Sequence, residues 1–258
     1  MRIACFGTFD VANYGDLLFP EIAKFELQKR LSEVEFIYVS PTASQPILAD
    51  SASTVSLRDI VEKAIPIDAI LIGGGNIIDW RPALNTVYST STERSLSAYP
   101  SLWVGAYLLS RKQRIPVCWN SPGVPGPFPD KNFQLLHDVL TSVAHLSVRD
   151  QTSKKLIQDY SNKIAPIVSP DTALAISALW NKERLHKLWL QFKSSQEHLH
   201  FSPNDDFSIF HIKTRYLKEI SSIQELCSII RRICKKTNTI PVLLPIGAIH
   251  HDDELTEH

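Results

Sequence analysis

"AILIGGGNII", residues Ala69–Ile78, places an aliphatic run directly before three consecutive glycines. A short apolar run closed by glycine is the pattern of a buried parallel strand that ends in a turn. Glycine lets main chain come close to a ligand or another element and accepts φ > 0. Successive exposed N–H groups also form an anion-binding nest. Two readings follow for Gly73, Gly74 and Gly75: the lining of a cleft where a phosphate, carboxylate or sugar hydroxyl touches main chain, or a tight β-to-α turn. The stretch is neither G-x-G-x-x-G nor a Walker loop, so it carries no dinucleotide fingerprint.

Working outward, strand and helix patterns alternate. Arg2–Phe9 reads as a buried strand, Asn13–Asp16 ("NYGD") as a turn, Leu17–Leu31 as a helix and Glu35–Ser40 as a second strand. A β-loop-α-β unit favours a parallel sheet. Ser56–Ala64 and Ser101–Lys112 read as helices, Ile115–Val124 as strand then turn, Asn132–Val143 as a helix, His145–Asp150 as a strand, Gln151–Tyr160 as a helix and Ile164–Leu174 as a strand. The predicted fold class is α/β, with two Rossmann-like domains. The first spans 1–178. Residues 179–206 are a charged, His-rich linker whose first part is helical, with Leu185, Leu188 and Phe192 on one face. Residues 207–258 open a second domain as β-α-β.

The 258 residues carry 27 Lys plus Arg against 27 Asp plus Glu. This balance argues against a broad electrostatic grip on nucleic acid, so no nucleic-acid partner is expected. Cys5, Cys118, Cys227 and Cys234 form no C-x-x-C pair, which suits reduced thiols in a cytoplasmic protein. No signal peptide and no apolar stretch of ~20 residues is apparent. "IHHDDE" (Ile249–Glu254) invites a metal reading, but adjacent side chains diverge, so no metal site is expected there.

Small, polar and turn-forming residues gather at successive strand ends: "NYGD", "GGGNIID", "NSPGVPGPF", "SVRD" and "SPD". In parallel sheets that edge is where ligands bind. Taken together, "VANYGDLLFPEIAKFEL", "PIDAILIGGGNIID", "NSPGVPGPF", "LSVRDQTSKKLI" and "VSPDTAL" resemble the polysaccharide pyruvyl transferase family. The N-x-G-D turn, the D-x-x-I-x-G-G-G segment, a Gly/Pro loop ending in G-P, S-x-R-D before a helix and P-D-x-A occur in the family's order. The resemblance implies two facing Rossmann-like domains in a GT-B-like arrangement. It implies transfer of a pyruvyl group from phosphoenolpyruvate to a sugar of a cell-surface polysaccharide, forming a ketal. The acceptor is then a polysaccharide or a lipid-linked oligosaccharide, the latter bringing peripheral contact with a membrane. No cofactor is expected beyond phosphoenolpyruvate as donor. Family members run past this point, so the second domain reads as incomplete: a fragment, a shortened paralogue, or a half completed by another chain. Two alternatives stay open: a non-catalytic glycan-binding remnant of this fold, and a GT-B-type glycosyltransferase using a nucleotide sugar.

Ketal transfer needs an acid/base group and a set of anion-holding donors. Asp16 and Asp79 are the catalytic candidates, each with a helix-cap reading beside it. Asn13, Gly15, Gly73, Gly74, Gly75, Asn76 and Gly123 are acceptor-binding candidates. Arg149 is a donor-binding candidate or the partner of a carboxylate such as Asp171. Asp150 reads as a helix N-cap. In the second domain His211, Lys213 and Arg215 alternate along one face and, with His250, are donor-binding candidates.

Overall fold

The computed structural model describes residues 1–48, 51–83, 87–128, 134–195, 205–212 and 223–244. The chain divides into two compact units, Met1–Ile176 and Ser177–His258.

Unit 1 is built on seven parallel strands: β1 (Arg2–Phe6), β2 (Glu35–Ser40), β3 (Val55–Ser56), β4 (Ala69–Gly73), β5 (Val117–Asn120), β6 (His145–Val148) and β7 (Ile167–Val168), in the order β3-β2-β1-β4-β5-β6-β7. The chain winds outward from β1 to β3, then returns to β4 and winds the other way. That reversal is a topological switch point between β1 and β4, where loops leave the carboxyl edge in opposite directions and open a crevice.

Alternation along the strands feeds two apolar layers. Ala4 and Phe6 of β1 and Ile70 and Ile72 of β4 join one core, beneath α2 (Leu57–Glu62), α3 (Thr92–Gln113), α4 (Gln134–Ser142) and α5 (Gln151–Tyr160). Ile3 and Cys5 point the other way, into a smaller core under α1 (Tyr14–Gln28), with Leu17, Phe19 and Ala23. Trp103 and Trp119, both fully buried, anchor the larger core. Each such side chain stabilises the fold by ~2–3 kcal/mol.

Three local expectations are corrected. β1 stops at Phe6, not Phe9, because the chain turns at Gly7 and folds Phe9 back into the α1 layer. α1 starts at Tyr14 rather than Leu17, and its N-cap is Asn13, whose side-chain oxygen accepts from the Gly15 N–H at 3.2 Å. α3 starts at Thr92 rather than Ser101, capped by Ser91, and carries Pro100 inside it.

Unit 2 contains α7 (Lys182–Ser195), β8 (Phe207–Phe210), α8 (Ile223–Thr237) and β9 (Ile240–Leu243), following the short α6 (Ile176–Leu179) that crosses the boundary. β8 and β9 pair in parallel, from Phe207 opposite Ile240 to Phe210 opposite Leu243. α8 lays Ile230 and Cys234 inward. β8 is shorter than the expected strand and ends before His211; Lys213, Arg215 and His250 lie outside the described residues. No helix among the described residues is long and apolar enough to cross a membrane.

Candidate functional site

The loop after β1 and the first turn of α1 deliver one carboxylate to the switch point. Asp16 Oδ2 accepts from Thr8 Oγ1 at 3.0 Å and from Asn13 Nδ2 at 3.0 Å. Asp16 lies in the first helical turn but is not the cap; that role belongs to Asn13, so the Asp16 carboxylate stays available for other work. Burial pushes its pKa up to about 6; the nearby Asp171 carboxylate adds to this, while the Thr8 and Asn13 hydrogen bonds and the Arg149 charge pull the other way.

From the other side of the switch point comes the glycine triplet. Gly74 and Gly75 have φ of +86° and +64°, the left-handed region that glycine occupies freely. A Cβ on Gly75 would stand 2.7 Å from Asp16 Oδ1, so the missing side chain is what lets the two loops close on each other. Gly73 has a different reason. Its Cβ would lie 2.1 Å from the Phe19 ring and 2.6 Å from the Asn120 carbonyl oxygen, which makes it a packing glycine at the end of β4.

The loop after β5 joins the same cluster. Gly123 N–H donates to Gly75 O at 2.9 Å, and Ile78 N–H donates to Gly123 O at 3.2 Å. A Cβ on Gly123 would lie 2.3 Å from Asn76 Oδ1 and 2.6 Å from Arg149 Nε, and so would break the Arg149 Nη2 to Asn76 Oδ1 hydrogen bond that passes over it. Arg149 also meets Asp150 Oδ2 at 3.3 Å and Asp171 Oδ2 at 4.0 Å. Asp150 caps α5, accepting from the Ser153 N–H at 2.6 Å. Asp171 caps the 3₁₀ turn Thr172–Ala175 and ties that loop to Arg149.

Asn13, Asp16, Gly75, Asn76, Gly123, Arg149 and Asp171 therefore form one connected edge. Gly15 stands apart: its side faces open space, with only Asn13 Oδ1 at 3.5 Å. Asp79 follows the triplet but is locked to Arg81, accepting from its backbone N–H at 2.9 Å and from the guanidinium at 2.8–3.2 Å. As it stands, Asp79 is the anchor of a turn. His211, in unit 2, lies 3.2 Å from the Leu244 carbonyl oxygen through Nδ1.

Sequence reasoning missed Thr8, Asp10 and Tyr88. Asp10 is buried, 4% exposed; its Oδ1 accepts from the Tyr88 hydroxyl, and its Oδ2 from Thr42 N at 2.8 Å and Thr42 Oγ1 at 2.6 Å. Burial raises its pKa. These bonds fix the loop that presents Thr8 to Asp16. Two polar residues inside an apolar run just past a strand were the available signal; Tyr88 gave none.

Beside this edge a cavity of about 680 Å³ is lined by Ile22 and Leu27 of α1 and by Leu71, with polar groups from Glu26, Arg30, Asn120, His145, Asp171 and Thr172. Asn120 Nδ2 donates to Thr172 Oγ1 at 3.2 Å there.

A doubly wound sheet with a carboxylate, a left-handed glycine pair and a buttressed arginine at its switch point defines an α/β protein of the class whose ligands bind in the crevice beyond the strand ends. Solved structures agree on the fold. UDP-GlcNAc 2-epimerase from Neisseria meningitidis bound to UDP-GlcNAc aligns over 100% of this chain and 70% of its own, with TM-score 0.51 and 14% identity. UDP-GlcNAc 2-epimerase from Methanocaldococcus jannaschii aligns over the same shares, with TM-score 0.50 and 9% identity. At such identities the likeness concerns the fold, and both neighbours are of GT-B type. No curated protein matches the chain. The family model "Polysaccharide pyruvyl transferase" matches residues 13–236, and the chain belongs to that family.

Proposed function

We propose that this protein transfers a pyruvyl group from phosphoenolpyruvate to a sugar of a polysaccharide or lipid-linked oligosaccharide, forming a ketal, with unit 1 on the acceptor side. In that reaction the donor's methylene carbon gains a proton and becomes a methyl group. Two sugar hydroxyls add to the central carbon, its bond to the phosphate oxygen breaks, and phosphate leaves. Of the two hydroxyl protons, one balances the methyl group and the other departs with phosphate.

The observation that carries the reading is Asp16. It is a desolvated carboxylate at the switch point of a family member, held by two donors on Oδ2, with Oδ1 beside a glycine. A base whose pKa lies near working pH is suited to accept a hydroxyl proton. The cavity beside Asn120 and Asp171 has the volume of a small-ligand site and supports an acceptor role for this edge. Arg149 is committed to Asn76 and two carboxylates, so it supports the edge more directly than it offers charge to a donor.

The test is phosphate release. Phosphoenolpyruvate with an acceptor glycan bearing a free diol should yield phosphate and a pyruvylated glycan in equal amounts. No release with any acceptor, with a melting-temperature shift from glycan alone, would make the protein a glycan binder. A shift from UDP-sugars alone would move the reading to nucleotide-sugar chemistry.

A further inference from the structure

Helix α7 is amphipathic, and none of its residues is buried. Leu185, Leu188 and Phe192 recur at i, i+3 and i+7, so they share about 60° of helix surface. They are 49%, 47% and 47% exposed. Only Trp189 and Lys193 of the helix are half-buried. Trp189 meets the Phe207 ring edge-on at 4.9 Å, and the Lys193 ammonium lies 5.2 Å from the same ring. Trp189 also stacks on Phe192 at 5.5 Å. Among the described residues the helix is thus held to β8 along one edge, and the adjoining apolar stripe is exposed.

The charges around that stripe select its occupant. α7 carries Lys182, Arg184, Lys187 and Lys193 against a single acid, Glu183. On a helical wheel Arg184 borders the stripe on one side and Lys182 lies beyond Trp189 on the other, where Lys193 is already held against the Phe207 ring. An aliphatic and aromatic stripe framed by cations is the composition of a helix lying in a bilayer interface. Leucine and phenylalanine reach the acyl boundary while lysine and arginine stems extend to headgroup phosphates. Pairing with a second copy about a two-fold axis would bring like-charged borders together, which is repulsive.

We infer that α7 is a docking helix that seats the protein on an anionic membrane surface. This goes beyond the transfer reaction and holds whether or not the protein transfers pyruvyl groups.

The experiment is co-sedimentation of the full chain with vesicles containing phosphatidylglycerol, against vesicles of phosphatidylcholine alone. Wild type should pellet with the anionic vesicles only, and the bound fraction should fall as salt rises. Leu188→Asp with Phe192→Asp should weaken binding at least tenfold. Arg184→Glu and Lys182→Glu should each weaken it by about fivefold or more. These side chains are exposed, so the variants should keep the wild-type melting temperature. Failure of wild type to bind anionic vesicles, or wild-type binding by L188D/F192D, overturns the inference. Absence of vesicle binding with a lowered melting temperature in L188D/F192D would assign the stripe to the protein's own packing. Absence of binding with loss of a concentration-dependent sedimentation shift would assign it to a second copy. Either outcome removes the membrane role.

Discussion

Asp16 is costly to withdraw from water and is half-buried nonetheless. A carboxylate withdrawn from water disfavours its charged form, and two hydrogen bonds only partly offset that. Its pKa of about 6 stands above the ordinary 3.8. The folded protein therefore keeps a proton on Asp16 up to about pH 6, whereas the unfolded chain releases it near 3.8. Between those values this group's contribution to stability falls as pH rises. Asp16→Asn retains an oxygen for Thr8 and Asn13 and removes the charge. The variant should keep or raise the melting temperature at neutral pH and lose the stability slope between pH 4 and 6, read by calorimetry across pH. Its pyruvyl transfer should fall by about 100-fold or more, and wild-type kcat/KM should rise with pH to a plateau above about 6. A variant as active as wild type would leave Asp16 a structural acid.

At the scale of elements, the two ends that meet at the switch point are shaped by glycines of different kinds. Gly15 lies in the first turn of α1 with room for a methyl group, and alanine is the better helix former there by up to about 1 kcal/mol. Gly73 closes β4 against the Phe19 ring and the Asn120 carbonyl, where backbone cannot move aside. Gly15→Ala should therefore hold or raise the melting temperature, while Gly73→Ala should lower it by roughly 10 °C, about 3 kcal/mol for a domain this size. Thermal unfolding of both variants decides; equal tolerance would mean Phe19 can repack. The same elements explain what could be read beforehand. β4 was legible because an interior parallel strand is apolar on both faces and ends in glycine. The end of β1 was not, because Phe9, buried in a loop, looks in sequence like one more strand residue. The start of α3 was hidden by Pro100, which reads as a boundary although the helix continues through it. In the site, the acidic turn and the glycines could be recognised locally. The Arg149–Asn76 and Tyr88–Asp10 bonds join residues more than 70 apart, and no local pattern announces them.

For the whole molecule, stability is unevenly distributed. All seven strands of the main sheet and both apolar cores lie within unit 1. Among the described residues of unit 2 the buried apolar side chains are Ile230 and Cys234, over a two-stranded sheet. A chain of about 170 residues buries enough surface to fold alone, whereas a two-stranded sheet with so small a core is marginal. Residues 1–176 expressed alone should unfold in urea in one cooperative transition, with a midpoint close to the main transition of the full chain. Residues 177–258 alone should show weak, non-cooperative melting. If unit 1 is the acceptor side, the isolated 1–176 segment should still bind an acceptor glycan, yet release no phosphate from phosphoenolpyruvate. Cooperative unfolding without glycan binding would separate the two claims, because the crevice would then be intact and its ligand wrongly assigned. Phosphate release by 1–176 alone would instead place the donor's phosphate among the strand-end loops of unit 1, and would turn attention to the N–H groups of Gly74 and Gly75 as the groups that hold it.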